Sequence, residues 1–212
     1  MIELKSKRAL ILAPHTDDGE LGCGGTIAKM IEEGAEVFYV AFSSCEQSVP
    51  DGYQKNILIE ELHQAMSVLG VPKANIVVYN YPVRHFREHR QDILQDIIDR
   101  RSHFDPDVVF MPCLGDIHQD HQVIAEEGLR AYKGRTILSY ELPWNNLTFN
   151  TSAFVKLDKR HVDRKAEALS KYETQKDRPY TNASFTNSLA RTRGVQIDAE
   201  LAEAFEVVRL VL

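Results

Sequence analysis

The 212-residue chain is short of several things, and each shortage removes a class of answers. Its three cysteines, Cys23, Cys45 and Cys113, share no C-x-x-C spacing, which argues against both a disulfide framework and a thiolate metal site. Reduced thiols in a cytosol are the simplest account of them, so a cytoplasmic location is expected. No apolar run reaches membrane-spanning length, and Met1-Ile2-Glu3-Leu4-Lys5 lacks the charged-then-apolar pattern of a secretory signal. Positive charge is also scarce. The 25 Lys and Arg stand against 31 Asp and Glu, a formal net charge of −6, so no basic footprint invites nucleic acid or an anionic membrane. Repeats and low-complexity tracts are absent. With 43% hydrophobic residues the chain suits one domain built on one core.

What is present is an alternation of short apolar runs with helical spacing. Ala9–Leu12, Glu36–Phe42, Ile76–Tyr79, Asp107–Met111, Thr136–Tyr140, Phe154–Leu157 and Val207–Val211 read as strands, several apolar throughout, as strands covered on both faces should be. Between them, Thr26–Ile31, Ile57–Leu69 (closed by Gly70), Gln91–Arg101 and a segment capped by Asp158 and running to Tyr172 read as helices. The order predicts a single-domain α/β fold with a mostly parallel sheet flanked by helices.

The first strand runs into Ala13-Pro14-His15-Thr16-Asp17-Asp18-Gly19-Glu20-Leu21-Gly22-Cys23-Gly24-Gly25, a strand-to-helix turn of the kind where open parallel sheets bind ligands. His15 and Asp18 are three apart and can point at one ion, while Asp17 between them can face another way. Imidazole with carboxylate suits zinc or another divalent metal, and a free carboxylate beside a metal is a potential general base. The same aspartates could instead cap the helix. The glycines suggest a rival, a nucleotide-binding Rossmann-type protein without hydrolase activity. Its G-x-G-x-x-G spacing fails, because position 27 is Ile27, and no acidic residue closes the second strand.

The fourth strand leads to Gly115-Asp116-Ile117-His118-Gln119-Asp120-His121 at an equivalent strand end, so the two motifs can meet over the sheet. Either His118 or His121 could complete a three-ligand site that leaves a position open for water, and the other is then free for proton transfer or oxyanion stabilisation. The loop 80–90 gathers Arg84, His85, Arg87, His89 and Arg90, which could read a substrate or simply be solvated. Trp144, the one Trp of the chain, follows the fifth strand and could stack on a sugar face or belong to the core.

These motifs resemble the PIG-L or LmbE-like metal-dependent N-acetylglucosaminyl deacetylases. The family's His-Pro-Asp-Asp and Gly-rich helix start resemble His15-Thr16-Asp17-Asp18 and Leu21-Gly22-Cys23-Gly24-Gly25-Thr26, and its His-x-Asp-His resembles His118-Gln119-Asp120-His121. Lys165, Ala168-Leu169, Tyr172, Thr174-Gln175, Arg193-Gly194 and Ala202-Glu203-Ala204-Phe205 resemble later family segments. The resemblance implies a Rossmann-like fold and one zinc ion, or another divalent transition metal, held by His15, Asp18 and His121. It makes Asp17 the general base, His118 the oxyanion or amine partner, and Asp120 a support behind the ligands. It implies a small-molecule N-acetylated sugar or conjugate as substrate and favours a homo-oligomer. Thr16 stands in place of the usual Pro, and Gly19 where many members have Glu. Leu58 stands where many relatives carry an Arg, so Arg84 or Arg87, with Trp144, is expected to contact the substrate instead.

Overall fold

Residues 8–211 are described by the computed structural model; the Met1–Lys5 segment, read above for a signal, lies outside them. The strands are β1 (Arg8–Ala13), β2 (Glu36–Ala41), β3 (Ile76–Val78), β4 (Val108–Pro112), β5 (Thr136–Tyr140), β6 (Ala153–Leu157) and β7 (Leu201–Arg209). The helices are α1 (Asp18–Glu32), α2 (Ile57–Leu69), α3 (Arg90–Phe104), α4 (Gln119–Ala131), α5 (Lys159–Leu169) and α6 (Ala183–Val195). The seven strands form one sheet in the order β3-β2-β1-β4-β5-β7-β6. The first five run parallel, while β7 is antiparallel to both β5 and β6. The core lies on both sides of this sheet. Ile11, Tyr39 and Phe110 point to the side of α1, α2 and α5, whereas Leu10, Phe38, Val109 and Met111 point to the side of α3 and α4. That two-sided burial is why these strands have no polar alternation. None of the described helices is long and apolar enough to cross a membrane.

Several boundaries differ from the sequence expectation, among them α3, which runs to Phe104, three residues past Arg101. The first helix begins at Asp18, eight residues before Thr26, and is broken at Cys23 (φ −141°, ψ 26°). The break exists because the second half starts afresh against a carboxylate from the far end of the chain. Glu203 on β7 accepts from the Gly25 N–H (3.0 Å), the Thr26 N–H (2.6 Å) and the Thr26 hydroxyl (2.6 Å), and pairs with Lys165 at 2.7 Å. This is the place a phosphate takes at a Gly-rich helix start. Here the protein's own buried carboxylate fills it, which leaves the nucleotide-binding alternative no anion site at this turn. Gly22 is needed for packing, since a Cβ there would lie 2.3 Å from the Tyr140 ring.

The last strand begins at Leu201, six residues before Val207, and ends at Arg209. Polar Glu203 and Glu206 interrupt the apolar run, and only their partners, Lys165 with the α1 amides and the Cys113 thiol, make them compatible with a sheet. Helix α6 was not expected from the sequence. It has a weakly apolar face but starts on Asn182, whose side chain accepts from the Phe185 N–H at 2.9 Å. The helix capped by Asp158 stops at Leu169, three residues before Tyr172.

Candidate active site

Strands β1 and β4 are parallel neighbours at the point where strand order reverses, so the loops leaving their carboxyl ends open on one crevice. The first loop carries His15, Asp17 and Asp18, and the second carries Asp116 and His118 into α4, where Asp120 and His121 follow. Both motifs therefore arrive at one place. Ring centroids of His15 and His121 are 5.3 Å apart, and those of His118 and His121 are 4.6 Å apart.

Three donor atoms form a near-equilateral triangle. His15 Nδ1 lies 3.0 Å from Asp18 Oδ2, His121 Nε2 lies 3.3 Å from the same oxygen, and the two nitrogens are 3.3 Å apart. Ligands in tetrahedral array at zinc–ligand distances of about 2.0–2.1 Å are about 3.3 Å from one another. The outer nitrogens explain why these atoms face inward. His15 Nε2 is 3.1 Å from Asp120 Oδ2 and His121 Nδ1 is 2.8 Å from Asp116 Oδ2, so each ring, in its neutral form, donates its one proton outward to a carboxylate and turns a lone pair to the centre of the triangle. This donor set fits a divalent cation.

His118 differs in kind. Its ring nitrogens come within 4.8 Å of those of His15 and His121, so a three-histidine grouping also exists. Yet its Nδ1 accepts the Asp120 backbone N–H at 3.2 Å, as an N-cap to α4, which leaves the proton on Nε2. The free nitrogen is then a hydrogen-bond donor rather than a lone pair. Burial, with the neighbouring His121 and His15, pushes His118 down to about 4, so the ring is neutral near pH 7.

Asp17 stands apart from the triangle. Its carboxylate lines the cavity but receives no hydrogen bond from any other described residue. It precedes α1 without making a side-chain cap, so the capping reading is not realised. Burial and the Asp18 charge push it up to about 6. Asp18 is held well below the usual carboxylate range, because the imidazoles of His121 and His15 outweigh its burial. His121 would be pushed down by burial, but Asp18 and Asp116 outweigh it and hold the ring up at about 10.

The cavity over these groups has a volume of about 230 Å³. One wall is Trp144 stacked on Tyr180, with ring centroids 3.8 Å apart and planes at 10°, so Trp144 lines the cavity and also packs against the edge of the core. Arg84 lines the cavity. Its backbone is in the left-handed region (φ 71°), and its N–H donates to Asp120 Oδ2 at 2.6 Å, which ties the 80–90 loop to the carboxylate behind His15. Arg87 corrects the expectation. It bonds Gln122 at 2.7 Å on the protein exterior and is not among the residues lining the cavity.

Leu58 does face the cavity, and the guanidinium opposite it comes from a residue that sequence reasoning missed, Arg178. Arg178 hydrogen-bonds the Tyr180 hydroxyl and has no ion pair with a described carboxylate. Its loop is fastened by Thr174, whose N–H and hydroxyl donate to Glu61 at 3.0 and 2.6 Å. No spacing in the sequence links position 178 to position 15. Asp116 was also missed as the partner of His121, although an acidic residue in the same strand-end loop was a visible signal.

Fold and site together define an α/β protein with a two-histidine, one-aspartate donor set and an unbonded carboxylate at the switch point of its sheet. The model of the PIG-L family, described as GlcNAc-PI de-N-acetylase, matches residues 10–132, more than half of the chain, so the protein belongs to that family. It is 25% identical over 174 residues to the uncharacterized deacetylase YaiS of Escherichia coli K12, covering 80% of this chain and 92% of the relative. It is 28% identical over 134 residues to the diacetylchitobiose deacetylase of Thermococcus kodakarensis, covering 59% of this chain and 49% of that protein. Among solved structures, the conserved protein TT1542 of Thermus thermophilus superposes with a TM-score of 0.80 at 25% identity, covering 97% of this chain and 96% of that one.

Proposed function

We propose that the protein is a metal-dependent N-deacetylase that hydrolyses the N-acetyl group of an N-acetylglucosamine-type sugar or sugar conjugate, releasing acetate and a free amine. The observation that carries this is the donor triangle of His15 Nδ1, Asp18 Oδ2 and His121 Nε2 beside an uncoordinated Asp17. Family membership and the named deacetylase relatives support the same reading. We assign His15, Asp18 and His121 as ligands of one zinc or similar divalent cation. Such a cation, when bound, lowers the pKa of a water toward neutrality and polarises the acyl carbonyl.

The chain's own residues supply the proton transfers. Asp17, ionised above about pH 6, accepts a proton from water as the water oxygen adds to the acetyl carbon. His118 donates its Nε2 proton in a hydrogen bond to the oxygen on which negative charge develops. The C–N bond then breaks, and the proton held by Asp17 passes to the departing nitrogen. Arg84, Arg178 and the Trp144–Tyr180 wall contact the sugar beyond the reacting amide. The test is a panel of N-acetylated sugars and conjugates scored for released amine, with and without a chelator. Chelator-sensitive amine release is expected. Absence of release across the panel by protein carrying stoichiometric metal refutes the reading.

A further inference from the structure

Asp17 presents a puzzle of placement. A general base must be held within a fraction of an ångström of its water, yet its lone pairs must stay free. Here no described side chain hydrogen-bonds the carboxylate, so its position depends on the backbone that carries it. Its own carbonyl accepts the Leu21 N–H, at 3.1 Å, as part of the turn into α1.

The preceding carbonyl, that of Thr16, is gripped from within the protein. Tyr172, just past α5, places its hydroxyl 2.8 Å from the Thr16 oxygen, and Tyr39 on β2 places its hydroxyl 3.1 Å from the same atom. Both hydroxyls also meet Glu20, which is fully buried, Tyr39 at 2.6 Å from Oε2 and Tyr172 at Oε1. Tyr39 in turn accepts the Gly19 N–H at 3.1 Å. A Cβ at position 19 would lie 2.5 Å from the Tyr39 ring and 2.7 Å from its hydroxyl, so this arrangement requires the glycine that departs from the family pattern. Each hydroxyl has a single proton, shared between Glu20 and the Thr16 oxygen, so Glu20 holds two tyrosines from different elements against the one peptide oxygen that leads into Asp17.

We propose that Tyr39, Glu20 and Tyr172 form a clamp on the Thr16 carbonyl that positions Asp17 as the base while leaving its carboxylate unbonded. The inference rests on the general-base reading of Asp17 given above. The clamp residues touch neither substrate nor the cation ligands' donor atoms; they act through the Thr16–Asp17 peptide.

The test is a double-mutant cycle between Tyr172→Phe and Asp17→Asn, together with a crystal structure of Tyr172→Phe. In the wild-type background Tyr172→Phe should lower kcat about tenfold with KM and metal content held, because a misplaced base affects the chemical step. In the Asp17→Asn background the same change should cost nothing further, and the crystal structure should show the Thr16 peptide rotated and the Asp17 carboxylate displaced. Equal losses in both backgrounds, or an undisturbed Thr16–Asp17 peptide, overturn the clamp. Full activity of Asp17→Asn would remove the general-base reading instead, and the position of the peptide in the Tyr172→Phe crystal still decides the clamp. If Tyr172→Phe does not fold, Tyr39→Phe, which keeps its ring against Gly19, is read in the same way.

Discussion

Replacing Asp17 by Asn separates the roles that a carboxylate at this position could play. The change is nearly isosteric, and no other described residue donates a hydrogen bond to the Asp17 carboxylate, so the amide loses no partner. The amide cannot accept the water's proton, and the expected loss is on the order of 10²–10⁴ in kcat/KM, the usual contribution of a positioned base. In barrier height that is about 3–5 kcal/mol. Metal content should stay at one per chain, because Asp17 lies outside the donor triangle. Folded Asp17 is pushed up to about 6, above the ordinary value of 3.8, so its contribution to stability is fully present below about pH 4 and lost as pH rises through about 6. The metal-free wild type should therefore lose more stability over that window than metal-free Asp17→Asn, in which buried Glu20, pushed up to about 8, still contributes a slope. In the metal-loaded wild type the acid limb of activity should lie at or below about 6, since the base must be ionised and a neighbouring cation favours its ionised form. Metal analysis, melting curves at pH 4 to 7 and amine release on this one variant decide the matter. Near wild-type turnover refutes the base assignment, and loss of metal together with activity makes Asp17 a ligand.

Three further outcomes follow from the geometry. His121→Ala should strip the metal while His118→Ala retains it with kcat lowered, measured by elemental analysis beside amine release; the reverse pattern would make the three-histidine grouping the site. Arg178→Gln should raise KM about tenfold with little change in kcat, the loss expected of one charged hydrogen bond, whereas Arg87→Gln should leave both constants unchanged in steady-state assays. Glu203→Gln should destabilise the fold by roughly 3–5 kcal/mol in urea titration, because it leaves Lys165 charged and buried without its partner.

Much of this protein was legible as sequence because the signals are local. Apolar runs such as Leu10-Ile11-Leu12 must be strands covered on both faces, and Ile57–Leu69 has the spacing of a helix whose bounds the structure reproduces. His15 with Asp18, and His118 with His121, stand out because chemistry-bearing residues three apart at the end of a strand can face one point. The same local signals place both motifs at carboxyl ends of strands, where a parallel sheet opens its crevice.

What the chain order could not decide is which atoms face each other across large separations. The proposed choice of His121 over His118 as a donor depends on where each ring's second nitrogen goes, to the Asp116 carboxylate in one case and to a backbone N–H in the other. Arg178 reaches the cavity only because Glu61 fastens its loop, and Arg87 misses it because its guanidinium turns to Gln122. Helix α1 breaks at Cys23 because a carboxylate 178 residues away from Gly25 caps its second half. Sequence periodicity reports burial of each residue on its own element, while the direction of a proton or a guanidinium is set by partners that only the packed sheet brings within hydrogen-bond distance.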